Sequence, residues 1–457
     1  MKRRLSDCER LYWYANAQSP GNVIAVAHVH GAMHPAQLQE AADQLSDIHP
    51  LLGVHVVERA PADFWLESED APPVHMQVTT GPHDLDAILE SELNTRLGKE
   101  PGAGARSRLW RARLVQQDPS SDWVAILTLS HMVCDASAML LALRDWLDLY
   151  RRMIDGPTAT ATLQRWPERP AFDELLPKSF SAPGRALWHT SRMLARLVRA
   201  QLRQPLALRA RKDVPLNQRT SSVLLRTLPA DEVATLHARC REHGITLHGA
   251  WMAALTLALR DVVNGSGGDK QLVGFTTPTS LRHLLDVPIG EEVGCYVSML
   301  HAFIDAPRQR SFWELARAAN GAVKDSLRRQ EHLAGVQLGR WISPKTKEKA
   351  ERTLTKMAAQ GGAGACVSNL GNFSMPPELG SLQLRQVYGF AALSFTGALL
   401  FGVLTINRRT MLCISYVPSA VERNVVDQIV AGFCAKLSEQ ATDHRTLSGA
   451  SAEQHPC

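Results

Sequence analysis

The stretch WVAILTLSHMVCDASAMLLALRDWLDLY, residues 123–150, does most to limit the folds open to this chain. It begins as an apolar run, breaks at Ser130 and His131, and from Ala136 carries apolar residues at helical spacing. A strand is therefore expected to end at Ser130 and a helix to begin at Ala136, with His131 and Asp135 in the short turn between them. A strand passing straight into a helix in this way is a feature of layered α/β architectures.

Those two polar residues admit more than one reading. Asp135 immediately precedes a helix, where a carboxylate is a good N-cap because it accepts from the first-turn N–H groups. His131 at a strand end reads either as a structural histidine or as a general base, since an imidazole titrates near enough to neutrality to take up a proton. A third reading, His131 and Asp135 as metal ligands four residues apart, lacks further ligands nearby.

The same grammar runs through the chain, which at 457 residues is long enough for two or three domains. Residues 1–154 read as an N-terminal α/β lobe, with strands at 22–30, 107–115 and 123–130 and helices at 35–46, 85–97 and 136–153. Residues 219–440 read as a C-terminal lobe. Its strands are expected at 221–228, 272–277, 297–304, 365–368, 382–391, 393–406 and 411–416, and its helices at 231–243, 247–262, 312–328 and 421–437. Between the lobes, residues 155–218 form a crossover whose start is punctuated by Pro157, Pro167, Pro170, Pro177 and Pro183. Residues 441–457 read as a polar tail, with mobility expected from Ser438 onward. The uncharged run QVYGFAALSFTGALLFGVLTIN, residues 386–407, approaches the length of a membrane span. Ser394, Thr396, Thr405 and a central Gly397 favour two buried strands instead.

The net charge of +5 is not a nucleic-acid signature, and no nucleic-acid partner is expected. Its distribution is uneven. Residues 175–212 contain nine Lys or Arg and no Asp or Glu, so the remainder of the chain is net acidic. Within this segment a helix is expected over 185–203, with Leu187, Leu194, Val198 and Leu202 near one face and arginines around the rest. It admits three readings: a solvated face, an attractor for an acidic carrier protein or coenzyme A phosphates, and peripheral contact with an anionic membrane. The eight cysteines show no Cys-x-x-Cys pair and sit mostly in apolar stretches. A reducing, cytoplasmic setting is expected. The basic N-terminus is broken by Asp7 and Glu9 and has no apolar core behind it, unlike a secretory signal.

The segment SHMVCDASAMLLALRDWLDLY resembles the active-site segment of the chloramphenicol-acetyltransferase-like superfamily, whose motif is usually H-H-x-x-x-D-G. Here Ser130 stands for the first histidine and Ala136 for the glycine. TPTSLRHLL resembles the segment whose arginine pairs with the motif aspartate, here Arg282. EEVGCYVSML resembles the strand that follows. ACVSNLGNF, residues 365–373, resembles the S-N-x-G strand of the polyketide-associated and alcohol acetyltransferase branches, and TINRRTMLCISYVPSAV the late strand before the last helix. No D-F-G-W-G motif is present, unlike the plant branch. The order and spacing extend from about residue 5 to 437.

The resemblance implies two α/β lobes in a V, each a mixed sheet with flanking helices, with the active-site tunnel between them. It implies an acyltransferase in which His131 is the general base, Asp135 and Arg282 support it, and Ser368, Asn369 and Gly371 lie near the oxyanion or substrate. No permanently bound cofactor is expected. The donor would be acyl-CoA or a phosphopantetheine-linked acyl group, with a carrier protein as one possible partner, and the acceptor a small alcohol or amine. A nucleophilic role for Cys134 is not expected, and the chain is expected to be a monomer. Two alternatives stand beside this reading: a freestanding condensation-type enzyme joining carrier-bound substrates, and a catalytically inactive scaffold of the same fold. The methyl group of Ala136 is expected to narrow the donor channel.

Overall fold

A computed structural model describes residues 1–98, 107–116, 121–156, 164–206, 208, 214–264, 271–359, 365–393 and 397–449. The first lobe contains β1 (Lys2–Arg4), α1 (Asp7–Gln18), β2 (Asn22–His30), α2 (Pro35–Ile48), β3 (His55–Ala60), β4 (Asp63–Glu67), β5 (Gln77–Thr80), α3 (Leu85–Asn94), β6 (Trp110–Gln116), β7 (Asp122–Ser130) and α4 (Ala136–Asp155). The crossover carries α5 (Lys178–Ser181) and α6 (Pro183–Leu202). Then follow β8 (Ser222–Leu228), α7 (Ala230–Glu242), α8 (Leu247–Asn264), β9 (Leu272–Ser280), β10 (Val297–Asp305), α9 (Phe312–Arg328), α10 (Glu331–Ile342) and α11 (Lys347–Ala359). The chain closes with β11 (Ala365–Asn372), β12 (Glu378–Leu379), β13 (Leu382–Ala391), β14 (Leu399–Ile406), β15 (Arg409–Tyr416) and α12 (Arg423–Gly449).

Two six-stranded mixed sheets organise these elements, as the α/β two-lobe expectation requires. The first has the order β12-β13-β2-β7-β6-β5 and the second β10-β9-β11-β14-β15-β8; β1, β4 and β3 form a small third sheet. In the first, α2 and α4 cover one face through Leu38, Leu45, Met139 and Trp146, and α3 covers the other through Leu89 and Leu93. Central strands β2 and β7 are thus apolar on both sides, which explains their nearly continuous aliphatic sequence. Each large side chain buried here contributes about 1.5–3 kcal/mol. In the second sheet, α8, α9 and α12 pack against Phe275, Phe401 and Ile414.

The strands do not respect the division at residues 219–440. β13 pairs antiparallel with β2 and so belongs to the first sheet, although β14 and β15, which follow it in the chain, belong to the second. The uncharged run 386–407 is therefore two strands, as expected, and it carries the chain from one sheet to the other; residues 394–396 lie outside the described residues. Met411 and Cys413 of β15 share a core with Ile24, Val26, Tyr388 and Phe390, so apolar packing joins the lobes. The tail expected to lose order from Ser438 instead continues α12 through Gly449. No helix among the described residues is long and apolar enough to cross a membrane.

Helix α3 is fastened to the sheet by charge as well as by packing. The buried Glu92 carboxylate accepts from Arg111 Nε at 2.5 Å, Arg113 Nε at 2.8 Å and Thr128 Oγ1 at 2.7 Å. Removing one member of such a buried set leaves uncompensated charge, which costs about 3–5 kcal/mol. Glu92→Ala should lower the urea-unfolding free energy by that order; a loss under about 1 kcal/mol would mean that the arginines find other partners.

Candidate active site

At the end of β7 the backbone is tied down residue by residue. Ser130 N–H donates to Leu109 O at 2.8 Å and His131 N–H to Gly21 O at 2.7 Å, and Val133 N–H closes the turn onto Ser130 O at 3.0 Å. Asp135 then caps α4: its Oδ1 accepts from Ala138 N–H at 2.8 Å. The same carboxylate does a second job across the lobes. Its Oδ2 accepts from Tyr296 N–H at 2.9 Å, while Asp135 N–H donates to Gly294 O at 3.2 Å. One oxygen thus caps α4, as expected, and the other ties the turn to the backbone of the opposite lobe.

Residues 290–296 act as a splint between the lobes. Arg282 Nη1 donates to Gly290 O at 2.7 Å and Glu292 O at 3.1 Å. Its Nη2 lies 3.7 Å from Asp135 Oδ1, an ion-pair contact too long for a hydrogen bond. The guanidinium also sits 4.8 Å over the Tyr296 ring. Arg169 Nε donates to Glu292 at 2.8 Å and Arg144 to Glu291 at 2.8 Å. Buried His49 accepts from Val293 N–H at Nδ1, 3.2 Å away, so its ring proton sits on Nε2, facing Asp145 at 3.1 Å. A Cβ on Gly294 would meet the Tyr296 ring at 2.1 Å, so a larger residue there would force that buried ring to move.

The splint delivers Cys295 to His131, with Sγ 3.7 Å from Nδ1. On another side Tyr12 of α1 stacks on the imidazole, ring centroids 5.7 Å apart and planes inclined by 23°. Burial holds His131 below its ordinary value of 6.5; its own backbone carbonyl, Asp135 and the Cys134 carbonyl pull the other way without restoring it. The ring is therefore neutral at pH 7 and able to accept a proton. Burial pushes the thiols of Cys134 and Cys295 well up, with Asp135 adding to it. Neither is a ready thiolate.

The sequence-derived site residues are only partly brought together. His131, Asp135 and Arg282 form one cluster. Ser368, Asn369 and Gly371 lie on β11 at a bulge in its pairing with β14, where Gly371 adopts a φ of +68°. Asn369 Oδ1 accepts from Gly371 N–H at 3.0 Å, a local turn-forming role. Among the described residues no hydrogen bond joins these three to His131. Ala136 is half-buried at the first position of α4. Sequence reasoning missed Tyr12, Cys295, His49 and the backbone of Gly294 and Tyr296. The strand expected at 297–304 is β10, and the irregular residues before it, in the segment EEVGCYVSML, make the inter-lobe contacts.

This arrangement sits in a fold shared with acyl-transferring proteins. Residues 217–404 match the family model described as phthiocerol/phthiodiolone dimycocerosyl transferase C-terminus. Among solved structures, the chain is similar to the trichothecene 15-O-acetyltransferase from Fusarium sporotrichioides, with a TM-score of 0.72, 12% identity, and 96% of this chain and 95% of that one covered. It is similar to polyketide synthase associated protein 5 from Mycobacterium tuberculosis, with a TM-score of 0.67, 14% identity and coverage of 96% and 98%. It also resembles the starter condensation domain of rhizomide synthetase, solved with C8-CoA, at a TM-score of 0.67, 16% identity and coverage of 97% and 95%. No curated protein matches in sequence. The chain has the chloramphenicol-acetyltransferase-like fold, and the resemblance read from its motifs is borne out.

Asp135→Asn keeps one acceptor oxygen but turns amide hydrogens toward one of the two backbone N–H groups. It should cost about 1–3 kcal/mol of unfolding free energy. Arg282→Ala should also destabilise, and the double variant should be milder than the sum of the singles by about 0.5–3 kcal/mol. Additive losses in that urea-denaturation cycle would show that the 3.7 Å contact carries no energy.

Proposed function

We propose that the chain is an acyltransferase that moves an acyl group from a thioester directly onto a hydroxyl or amine acceptor, with His131 as the general base. The observation that carries this reading is the place of His131 in the turn between β7 and α4, where Asp135 joins the lobes and Cys295 and Tyr12 lie against the ring; burial there lowers the imidazole from its ordinary value. The acceptor X–H gives its proton to His131 as its heteroatom attacks the thioester carbonyl. The tetrahedral intermediate collapses, the C–S bond breaks, and the thiolate takes the proton back from the imidazolium. The products are acyl–X and free thiol, so no covalent acyl-enzyme is needed. That agrees with the high thiol values of Cys134 and Cys295, which disfavour either as nucleophile.

Asp135 and Arg282 act in this reading as positioning residues: they hold the turn and the splint, and through them the ring. Ser368 or the Asn369 amide Nδ2 is the proposed donor to the oxyanion, since the Oδ1 of Asn369 is already used on Gly371. The donor is acyl-CoA or an acyl group on a carrier protein, and no permanently bound cofactor takes part. The likeness to a condensation domain solved with C8-CoA supports a pantetheine thioester as donor. It also sustains a second reading, condensation of carrier-bound substrates into an amide or ester.

A thiol-release assay over coenzyme A and carrier-protein thioesters, with alcohol and amine acceptors, separates these readings. The acyltransferase reading expects acceptor-dependent thiol release with at least one donor. His131→Ala should lower it about 10²–10⁴-fold with the fold unchanged. Wild-type release by soluble, folded His131→Ala would remove the general base from the mechanism.

A further inference from the structure

Helix α6 is 20 residues long and shows three different faces. At about 100° per residue, Ala186, Thr190, Met193 and Ala200 share one side, and all four are buried against the C-terminal lobe. Arg196 fastens this contact by donating to Glu331 at 2.8 Å and to His301 O at 2.8 Å, and Arg203 pairs with Asp305. The helix therefore lies along the protein surface and is held there.

The stripe at Leu187, Leu194, Val198 and Leu202 lies about a third of a turn away and points outward. Exposure rises to 77% at Leu202, and Trp188 beside the stripe is 52% exposed. Of the twelve large hydrophobic side chains exposed among the described residues, five are on this one helix. A concentration of this kind marks a contact surface, whereas single exposed apolar residues do not. The third face carries Arg185, Arg192 and Arg199, none of which makes an ion pair among the described residues; Arg192 instead lies 4.2 Å over the Trp188 ring. No acidic residue occurs anywhere in residues 175–212.

We propose that α6 is an in-plane docking surface for an anionic lipid bilayer. The stripe and Trp188 enter the boundary between headgroups and acyl chains, and Arg185, Arg192 and Arg199 meet the lipid phosphates. Charge complementarity selects the anionic occupant, and the exposed leucines, valine and tryptophan select lipid over an acidic protein, which would engage the arginines and leave the stripe in water. Tryptophan at the rim suits the interface, where its ring is apolar and its N–H stays wet. The arginine stems can lie along the apolar region while their guanidinium groups reach outward. The buried face of Ala186, Thr190, Met193 and Ala200 keeps the helix in the membrane plane.

Flotation of the full chain with vesicles tests this. It should co-float with vesicles of equal parts phosphatidylcholine and phosphatidylglycerol, not with phosphatidylcholine alone, and added salt should weaken the association. Arg185→Gln, Arg192→Gln and Arg199→Gln together should reduce partitioning by about fivefold per arginine. Leu194→Gln with Val198→Gln should abolish flotation while thermal melting stays unchanged. Lipids brominated on their acyl chains should quench a fluorescence component that Trp188→Phe lacks. Absence of flotation with anionic vesicles at low salt would overturn the proposal, as would undiminished flotation of Leu194→Gln/Val198→Gln or binding to an acidic carrier protein with no binding to vesicles.

Discussion

The Asp135 carboxylate, shared between the Ala138 and Tyr296 N–H groups, is the contact on which the site depends. One oxygen starts α4 and so fixes the end of the turn that contains His131. The other holds a backbone N–H of the opposite lobe. A buried carboxylate is costly unless it is fully bonded, and two N–H donors with a nearby guanidinium meet that need. The sequence led to an expectation of an Asp135–Arg282 ion pair as the main link. In the structure Arg282 holds the carbonyls of Gly290 and Glu292 more closely than it holds Asp135, so it supports Asp135 largely by shaping the splint.

That splint explains how a half-buried histidine is kept neutral without a carboxylate against its ring. Cys295 and Tyr12 are weakly polar at the faces they turn to His131, and they cover part of the ring. Desolvation disfavours the imidazolium, and the Asp135 charge, bonded to two other donors, is too committed to reverse it. Such a ring can receive a proton for the duration of a reaction and return it.

Much of this was legible locally. β2, α9 and β13 were read to the residue, and β7 and α4 to within two residues, because their apolar periods are clear and their ends are marked by Asp135 or by a capping box such as Ser311 with Glu314. Elements without that contrast were missed: α10, whose burial alternates with polar contacts to α6, and α11, which is rich in charged residues. The crossing of β13 into the first sheet was also missed, since a strand carries no record of which sheet completes it. The site divided in the same way. His131 and Asp135 stood out as a strand–turn–helix junction, and Arg282 required the family pattern. Tyr12, His49 and Cys295 gave no local signal, because their roles exist only through contacts between segments distant in sequence. Helix α6 had been recognised as amphipathic, but periodicity cannot say which of its faces the protein covers.

The central claim is that His131 is a neutral base at the lobe seam, and titration of its ring by NMR tests this most directly. With histidines isotope-labelled and the His131 signal assigned by its loss in His131→Asn, the ring should titrate below its ordinary value of 6.5 and carry a single proton at pH 7. A value at or above 6.5, or a doubly protonated ring at neutral pH, would contradict the account.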